Sequence, residues 1–151
     1  MNEFNERLRA CLVCRDLCGG DSVAVVGDLI EALVRGGILP PGARDPALQA
    51  VMRREQSMPT AIADGVAFPH ARIDGVAPLV PVIGIHRQGV DFGAADGAPT
   101  RLFVLMLVAP PEARRYLQVL AAFARQLSLP EVRARLLDAA DAEAVRAALQ
   151  T

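Results

Sequence analysis

The amino-acid sequence predicts an α/β fold, a single domain in which a central mixed β-sheet is flanked by helices on both sides. Residues 79–86 and 101–109 form two apolar runs, each continuous enough to be a strand buried on both faces. Helical periodicity precedes and follows these runs, so helices are available to cover both faces of a sheet. The chain has 151 residues, 52% of them hydrophobic, and shows no linker or repeat, so one domain spanning residues 1–151 is expected.

The first clear helical pattern covers residues 25–34, where Val, Leu and Ile recur at helical spacing. Asp21 or Ser22 is placed to cap this helix, and Gly36-Gly37 ends it. Asp45-Pro46 then supplies a cap and a first-turn proline for a second helix. The residues of this second helix expected to face inward are Leu48, Val51 and Met52.

The middle of the chain predicts three strands. Val66–Phe68 is a short apolar stretch that Pro69 stops, because proline cannot donate to a strand ladder, and this leaves His70 at a strand end. Leu79–His86 and Arg101–Ala109 are the two longer strands. The Asp, Gly and Pro residues between them are typical of a connection.

Three helices are predicted in the last third of the chain. The first follows Pro110-Pro111, the second starts at Pro130, and the third is capped by Asp141. The stripe expected to face the core is Leu117, Leu120, Ala121, Ala124 and Leu127 on the first of these helices, and Val145 and Leu149 on the last.

Charge and hydropathy exclude two classes of partner. The formal net charge is -1, and the 16 basic residues, all arginine, form no stripe of the kind that binds nucleic acid. No apolar run approaches the roughly 20 residues that cross a bilayer, and the N-terminal residues lack the apolar core of a signal peptide. We therefore expect a cytoplasmic protein without direct membrane insertion.

Three cysteines, Cys11, Cys14 and Cys18, fall within one short stretch. Their odd number argues against a disulfide framework. A Cys-x2-Cys pair is half of a common zinc site, but no second pair or nearby histidine follows it. The favoured interpretation is that the cysteines are small buried hydrophobes beside Leu8, Leu12 and Leu17, and a metal site remains a weaker hypothesis.

His70 is one of only two histidines and has features that a reactive histidine needs. Pro69 restricts the local backbone, a strand end is a usual place for an α/β site, and Arg54 and Arg72 are candidate partners for an anion. From the residues alone, His70 is a nucleophile toward phosphorus, a metal ligand, a proton carrier, or a histidine that is simply hydrogen-bonded in a loop. The other histidine, His86, is expected to be solvated at the end of its strand.

The stretch RREQSMPTAIADGVAFPHAR resembles the signature of the type-2 enzyme IIA domain of the bacterial phosphoenolpyruvate-dependent sugar phosphotransferase system, the fructose, mannitol and nitrogen-regulatory class. The residues that carry the resemblance are Arg54, Glu55, Thr60, Gly65, Ala67, Pro69 and His70. The stretches GDLIEALVRGGIL and GVDFGAADGAPTRLFVLMLVAP, and the closing helices, resemble further segments of that family in order and length.

The resemblance implies that His70 accepts a phosphoryl group from an HPr-type phosphocarrier protein and passes it on. Arg54 would supply positive charge, and Thr60 and the backbone N–H groups of the following turn would donate hydrogen bonds. The phosphoryl group would pass to a membrane sugar permease component, enzyme IIB or IIC, or would serve as a regulatory signal to target proteins. A free-standing chain without a membrane segment slightly favours the nitrogen-regulatory type, and no cofactor is expected.

The sequence departs from the family pattern at three positions. Ala61 and Ala63 replace glycines of the turn before His70, which predicts backbone strain if either position needs a positive φ. Tyr116 stands where the family has a second histidine, and a phenol cannot become cationic near neutral pH. Arg114 or Arg115 would be the residue to compensate. These departures motivate an alternative: a regulatory binding module of the same fold that is phosphorylated poorly or not at all.

Overall fold

Two long antiparallel strands form the centre of the molecule, and both are built from the apolar runs of the sequence. The structure, a computed structural model, describes residues 3–76 and 78–150. The central strands are β5 (Val82–Val90) and β6 (Thr100–Val108), which pair antiparallel from Val82↔Leu105 to Ile85↔Leu102. Residues 102–108 are all buried, as expected for a strand covered on both faces.

Four short strands complete a mixed sheet around this pair. They are β1 (Leu12–Cys14), β2 (Ala61–Ile62), β3 (Val66–Ala67) and β4 (His70–Arg72). The order is β1-β5-β6-β3-β2, and β4 pairs with β6 beyond the end of β3. Strand β1 is parallel to β5, and β3 and β4 are both parallel to β6, whereas β2 is antiparallel to β3.

Six α-helices within the described residues cover the two faces of the sheet, which confirms the predicted α/β class. One face packs against α2 (Ser22–Arg35) and α3 (Arg44–Ser57). The other face packs against α1 (Glu3–Ala10), α4 (Ala113–Leu127), α5 (Pro130–Asp138) and α6 (Ala142–Leu149). Within the described residues, none of these helices is long and apolar enough to cross a membrane.

The predicted caps form as expected at two helices. The Asp21 carboxylate accepts a hydrogen bond from the Ala24 N–H at 2.8 Å, and the Asp141 carboxylate accepts one from the Ala144 N–H at 2.8 Å. Each of these contacts satisfies one of the otherwise unpaired N–H groups of a first helical turn.

The predicted apolar stripe of α4 is partly wrong. Leu117 is 61% exposed, and Ala121 is also exposed. The side chains of α4 that are buried are Val119, Ala122, Phe123 and Leu127. Helix α4 therefore presents Leu117 and Ala121 to solvent, and Leu117 is free to contact another molecule.

The strand predicted at 66–68 is interrupted rather than ended at Pro69. Val66 and Ala67 pair with Leu102 and Phe103, and pairing resumes at His70 with Met106, so the same register continues along β6. The Pro69 carbonyl accepts a hydrogen bond from the Met106 N–H at 3.1 Å, which spans the gap. His70 thus begins strand β4 instead of lying beyond a strand.

The prediction for His86 is wrong. The strand expected at 79–86 runs from Val82 to Val90, so His86 lies within it and is buried. Its Nδ1 accepts a hydrogen bond from the Gly89 N–H at 2.9 Å, and its Nε2 lies 2.9 Å from the Gly19 carbonyl. This imidazole connects the loop after β1 to β5 and is a structural residue.

Candidate functional site

A cleft of about 450 Å³ lies beside strand β4, between helices α3 and α4. Its polar lining consists of Arg53, Arg54, His70, Arg72 and Tyr116. Its apolar lining consists of Ala50, Ala71, Val108, Ala113 and Leu117. The two helices contribute residues at spacings of three and four, which is the spacing that places side chains on one helix face.

His70 is held by its own strand in one orientation. Its ring Nδ1 lies 3.0 Å from the Phe68 carbonyl oxygen. A carbonyl only accepts hydrogen bonds, so in this contact the neutral imidazole carries its proton on Nδ1 and has its lone pair on Nε2. The half-buried side chain therefore offers Nε2 as a nucleophile.

Tyr116 packs beside the histidine. The ring centroids of His70 and Tyr116 are 5.4 Å apart, with the planes at 36°. Burial raises the pKa of the Tyr116 phenol above its ordinary value, while the charge of Arg54 acts in the opposite direction. The phenol is therefore protonated at neutral pH, which makes it a hydrogen-bond donor next to the imidazole.

Three arginines give the cleft its charge. Arg54 lies at the end of α3, where its Nη1 donates to the Met58 carbonyl at 3.1 Å. Arg53 and Arg72 are exposed, and among the described residues neither has an ion-pair partner. No carboxylate is among the described residues that line the cleft. The site is therefore suited to an anion.

The two arginines proposed to compensate for Tyr116 do not line this cleft. Arg115 makes ion pairs with Glu3 and Glu112, both at 3.1 Å. Arg114 is exposed and does not belong to the described lining. The positive charge beside His70 comes instead from arginines of α3 and β4. Of these arginines, Arg53 is the one that the sequence analysis did not identify. Its spacing of three from Ala50 on the same helix was the signal available for finding it.

Thr60 is engaged elsewhere. Its backbone N–H donates to Glu55 Oε2 at 3.0 Å, and its hydroxyl donates to Glu55 Oε1. Glu55 is buried, so this pair fastens the loop after α3 to the helix end that carries Arg54. The structure brings His70, Arg54 and Tyr116 together, whereas Thr60 supports the loop and lies outside the described cleft lining.

The turn before His70 carries no strain at its two alanines. The residues with positive φ are Asp64 at 70° and Gly65 at 76°, and Ala61 and Ala63 are not among them. Aspartate tolerates the left-handed conformation better than most residues. Glycine is favoured at position 65 by this φ, and a Cβ there would also lie close to the Pro99 carbonyl oxygen, at 3.1 Å. The predicted strain is therefore absent.

The cysteines occupy three different environments. Cys11 is buried, Cys14 is partly buried, and Cys18 is exposed, so only Cys11 fully matches the interpretation as a buried hydrophobe. Burial raises the pKa of the Cys11 and Cys14 thiols. Within residues 3–76 and 78–150, no three His, Cys, Asp or Glu side chains come together in a way that would hold a metal ion.

Comparison with known proteins gives consistent matches. The family model described as the phosphoenolpyruvate-dependent sugar phosphotransferase system, EIIA 2, matches residues 25–151. A fructose-specific EIIA component of a phosphotransferase system from Haloferax volcanii is 34% identical over 103 residues, which cover 68% of this chain and 67% of that protein. A nitrogen regulatory protein from Pseudomonas aeruginosa is 31% identical over 128 residues, covering 84% of this chain and 81% of that protein.

A solved structure extends the similarity to almost the whole chain. The crystal structure of nitrogen regulatory protein IIA-Ntr from Neisseria meningitidis superposes with a TM-score of 0.84 at 28% identity. The superposition covers 99% of this chain and 100% of that one. Helix α1 and strand β1, which precede the family match, are therefore part of the shared fold.

Proposed function

Because the chain belongs to the EIIA 2 family of the phosphoenolpyruvate-dependent sugar phosphotransferase system, we propose that His70 is the residue on which it carries a phosphoryl group. The chain is a phosphoryl carrier of the regulatory and transport class that its relatives represent. The observation that carries the assignment to His70 is the contact of Nδ1 with the Phe68 carbonyl, which leaves Nε2 unprotonated toward an arginine-lined cleft.

The transfer step follows from this geometry. The Nε2 lone pair attacks phosphorus in line with the bond to the donor, an N–P bond forms, and the electron pair of the breaking bond returns to the donor. Such a step requires positioning and positive charge more than covalent assistance. The Phe68 carbonyl accepts a hydrogen bond from Nδ1–H and so stabilises the positive charge that develops on the ring. Arg54 and Tyr116 line the same cleft and would donate to the equatorial oxygens of the phosphoryl group.

The proposed donor is an HPr-type phosphocarrier protein, and the proposed place of action is the cytoplasm. Once phosphorylated, the chain passes the phosphoryl group to an enzyme IIB or IIC permease component, or it acts on a regulatory target protein. We favour regulation through protein binding, because nitrogen regulatory protein IIA-Ntr from Neisseria meningitidis superposes on this chain with a TM-score of 0.84 at 28% identity, against 0.77 at 22% for mannitol IIA from Escherichia coli.

One observation favours a second candidate function, a regulatory module that is phosphorylated poorly. Tyr116 lies against His70 and offers a neutral donor, not a cation. The Ala61 and Ala63 departures lend this candidate no support, since neither residue adopts a positive φ.

Incubation with enzyme I, an HPr-type carrier and labelled phosphoenolpyruvate tests the proposal. We expect one equivalent of label per chain, stable in base and lost in acid, as is usual for a phosphoramidate bond to imidazole. Peptide mapping should place the label on His70. Absence of label under conditions that phosphorylate the carrier itself would favour the second candidate.

Substitution of Tyr116 measures how much the neutral donor limits the site. Tyr116→Phe removes only the hydroxyl and should cost about 0.5–1.5 kcal/mol in transition-state stabilisation if that hydroxyl bonds the phosphoryl group. Tyr116→His introduces a group that becomes cationic, so the phosphorylated form should last longer than that of the parent, or form faster, and this gain should grow as pH falls through about 6.5, the ordinary histidine value. Label yield and phosphohistidine lifetime are the measurements. If both variants match the parent across that range, Tyr116 only packs against the core.

A further inference from the structure

The cleft of His70 lies beside exposed arginines that have no ion-pair partner among the described residues. Helix α4 contains no acidic residue between Ala113 and Leu127. The carboxylates closest in sequence to the cleft residues of the two helices are already engaged: Glu55 is buried and bonds Thr60, and Glu112 pairs with Arg115. The charge of the surface is therefore not neutralised by the helices that form it.

We define the arginine face as Arg53, Arg72, Arg114 and Leu117. The three arginines are exposed, and the part of the chain that the structure describes contains no ion-pair partner for any of them. Arg114 lies one helical turn before Leu117, whose side chain is 61% exposed at the cleft wall. An exposed apolar residue rimmed by unpaired charge is the composition of a protein contact surface.

The arginine face has more charge than the phosphoryl group alone accounts for. Arg54 lies close enough to Tyr116 to influence its pKa, and Tyr116 packs beside His70, so Arg54 is placed to serve the phosphoryl group. Arg53 and Arg72 line the cleft and are exposed to solvent, and Arg114 lies outside the described lining altogether. Charges in that position act on whatever approaches the cleft.

We propose that the arginine face selects partner proteins whose own contact surface is acidic around the phosphoryl-bearing residue. This inference rests on the proposed function of His70 and adds the sign of the charge that a partner must present. A second copy of this chain does not fit, because a symmetric contact would place arginines against arginines. Opposite charge on the partner would speed its encounter with the cleft and fix its orientation, while a cationic carrier would be repelled.

The test compares two phosphoryl donors on the same acceptor. One is the phosphorylated HPr-type carrier of the same organism, and the other is phosphoramidate, from which the phosphoryl group moves to Nε2 of His70 as ammonia leaves. Phosphoramidate has no protein surface, so it reports on His70 alone. The variant is Arg114→Glu, which lies outside the described cleft lining, and the matched control is Arg135→Glu, the same charge change at an exposed position of α5.

We expect Arg114→Glu to slow transfer from the protein donor at least about tenfold more than transfer from phosphoramidate. Arg135→Glu should change neither rate appreciably. Transfer from the protein donor to the parent chain should also slow as ionic strength rises from about 0.05 to 0.5 M, because salt screens charges beyond a few ångströms.

The outcomes separate the two proposals. If phosphoramidate leaves no label on His70 of the parent, the proposed function fails. If His70 is labelled but Arg114→Glu slows both donors equally, or salt leaves the protein-donor rate unchanged, the arginine face does not select an acidic partner. Binding of the chain to vesicles of anionic phospholipid that Arg114→Glu abolishes would assign the face to a membrane and overturn the proposal.

Discussion

His70→Ala is expected to abolish phosphoryl acceptance while leaving the fold intact. The substitution removes Nε2, the atom to which the phosphoryl group would bond, so no residual rate is expected at this position. Folding should change little, because the half-buried imidazole makes one hydrogen bond, to the Phe68 carbonyl, worth about 0.5–1.5 kcal/mol. Label incorporation measures the first effect, and thermal unfolding measures the second.

The chain's other histidine supplies the control. His86→Gln leaves His70 untouched, so the label should persist even though the substitution disturbs the contacts of His86 with Gly19 and Gly89 and lowers stability. A loss of label in His86→Gln without unfolding, or an unchanged label in His70→Ala, would remove His70 from the mechanism.

Arg54→Ala is expected to slow phosphoryl transfer far more than Arg54→Lys. Loss of a charge-assisted contact costs roughly 1.5–3 kcal/mol, which corresponds to about ten- to a hundredfold in rate. Lysine keeps the charge and should retain most of that rate. Single-turnover transfer from phosphoramidate measures the effect without a contribution from partner docking.

Two controls keep this comparison specific. Arg115 is paired with Glu3 and Glu112, so Arg115→Ala should leave the transfer rate nearly unchanged. Thermal unfolding of the Arg54 variants accounts for the lost bond to the Met58 carbonyl at the end of α3. If alanine and lysine slow transfer equally, the role of Arg54 is not purely electrostatic, and the planar two-donor geometry of guanidinium would be the requirement.

Much of the fold was predictable because local signals and tertiary packing agree. The Asp21 and Asp141 caps and the apolar run of β6 mark elements whose boundaries local chemistry sets. By contrast, α1 and β1 were not predicted as elements: α1 has eight mostly polar residues, and β1 has three. Such short elements derive their stability from packing against the rest of the chain.

The wrong predictions concern residues whose environment is set by hydrogen-bond partners that the sequence pattern does not reveal. Polar residues at 86–88 are typical of a strand end, but His86 is buried because the Gly19 carbonyl and the Gly89 N–H satisfy both ring nitrogens. Hydrogen-bond partners could not be predicted from the sequence in the cleft region either. The motif identified His70, Arg54 and Tyr116, but no spacing could indicate that Thr60 would be occupied by Glu55.

The continuous register of β3 and β4 along β6 has a consequence for how this region can evolve. Val66 and Phe68 belong to the core beneath α4, and Ala67 and Ala71 belong to the core beneath α2 and α3, so alternation persists across Phe68 and Pro69. Inserting or deleting a single residue there would turn the imidazole from the cleft to the opposite layer. Substitutions that preserve volume would leave the imidazole in the cleft. The segment from Val66 to His70 therefore tolerates substitutions that conserve volume, whereas its length is fixed.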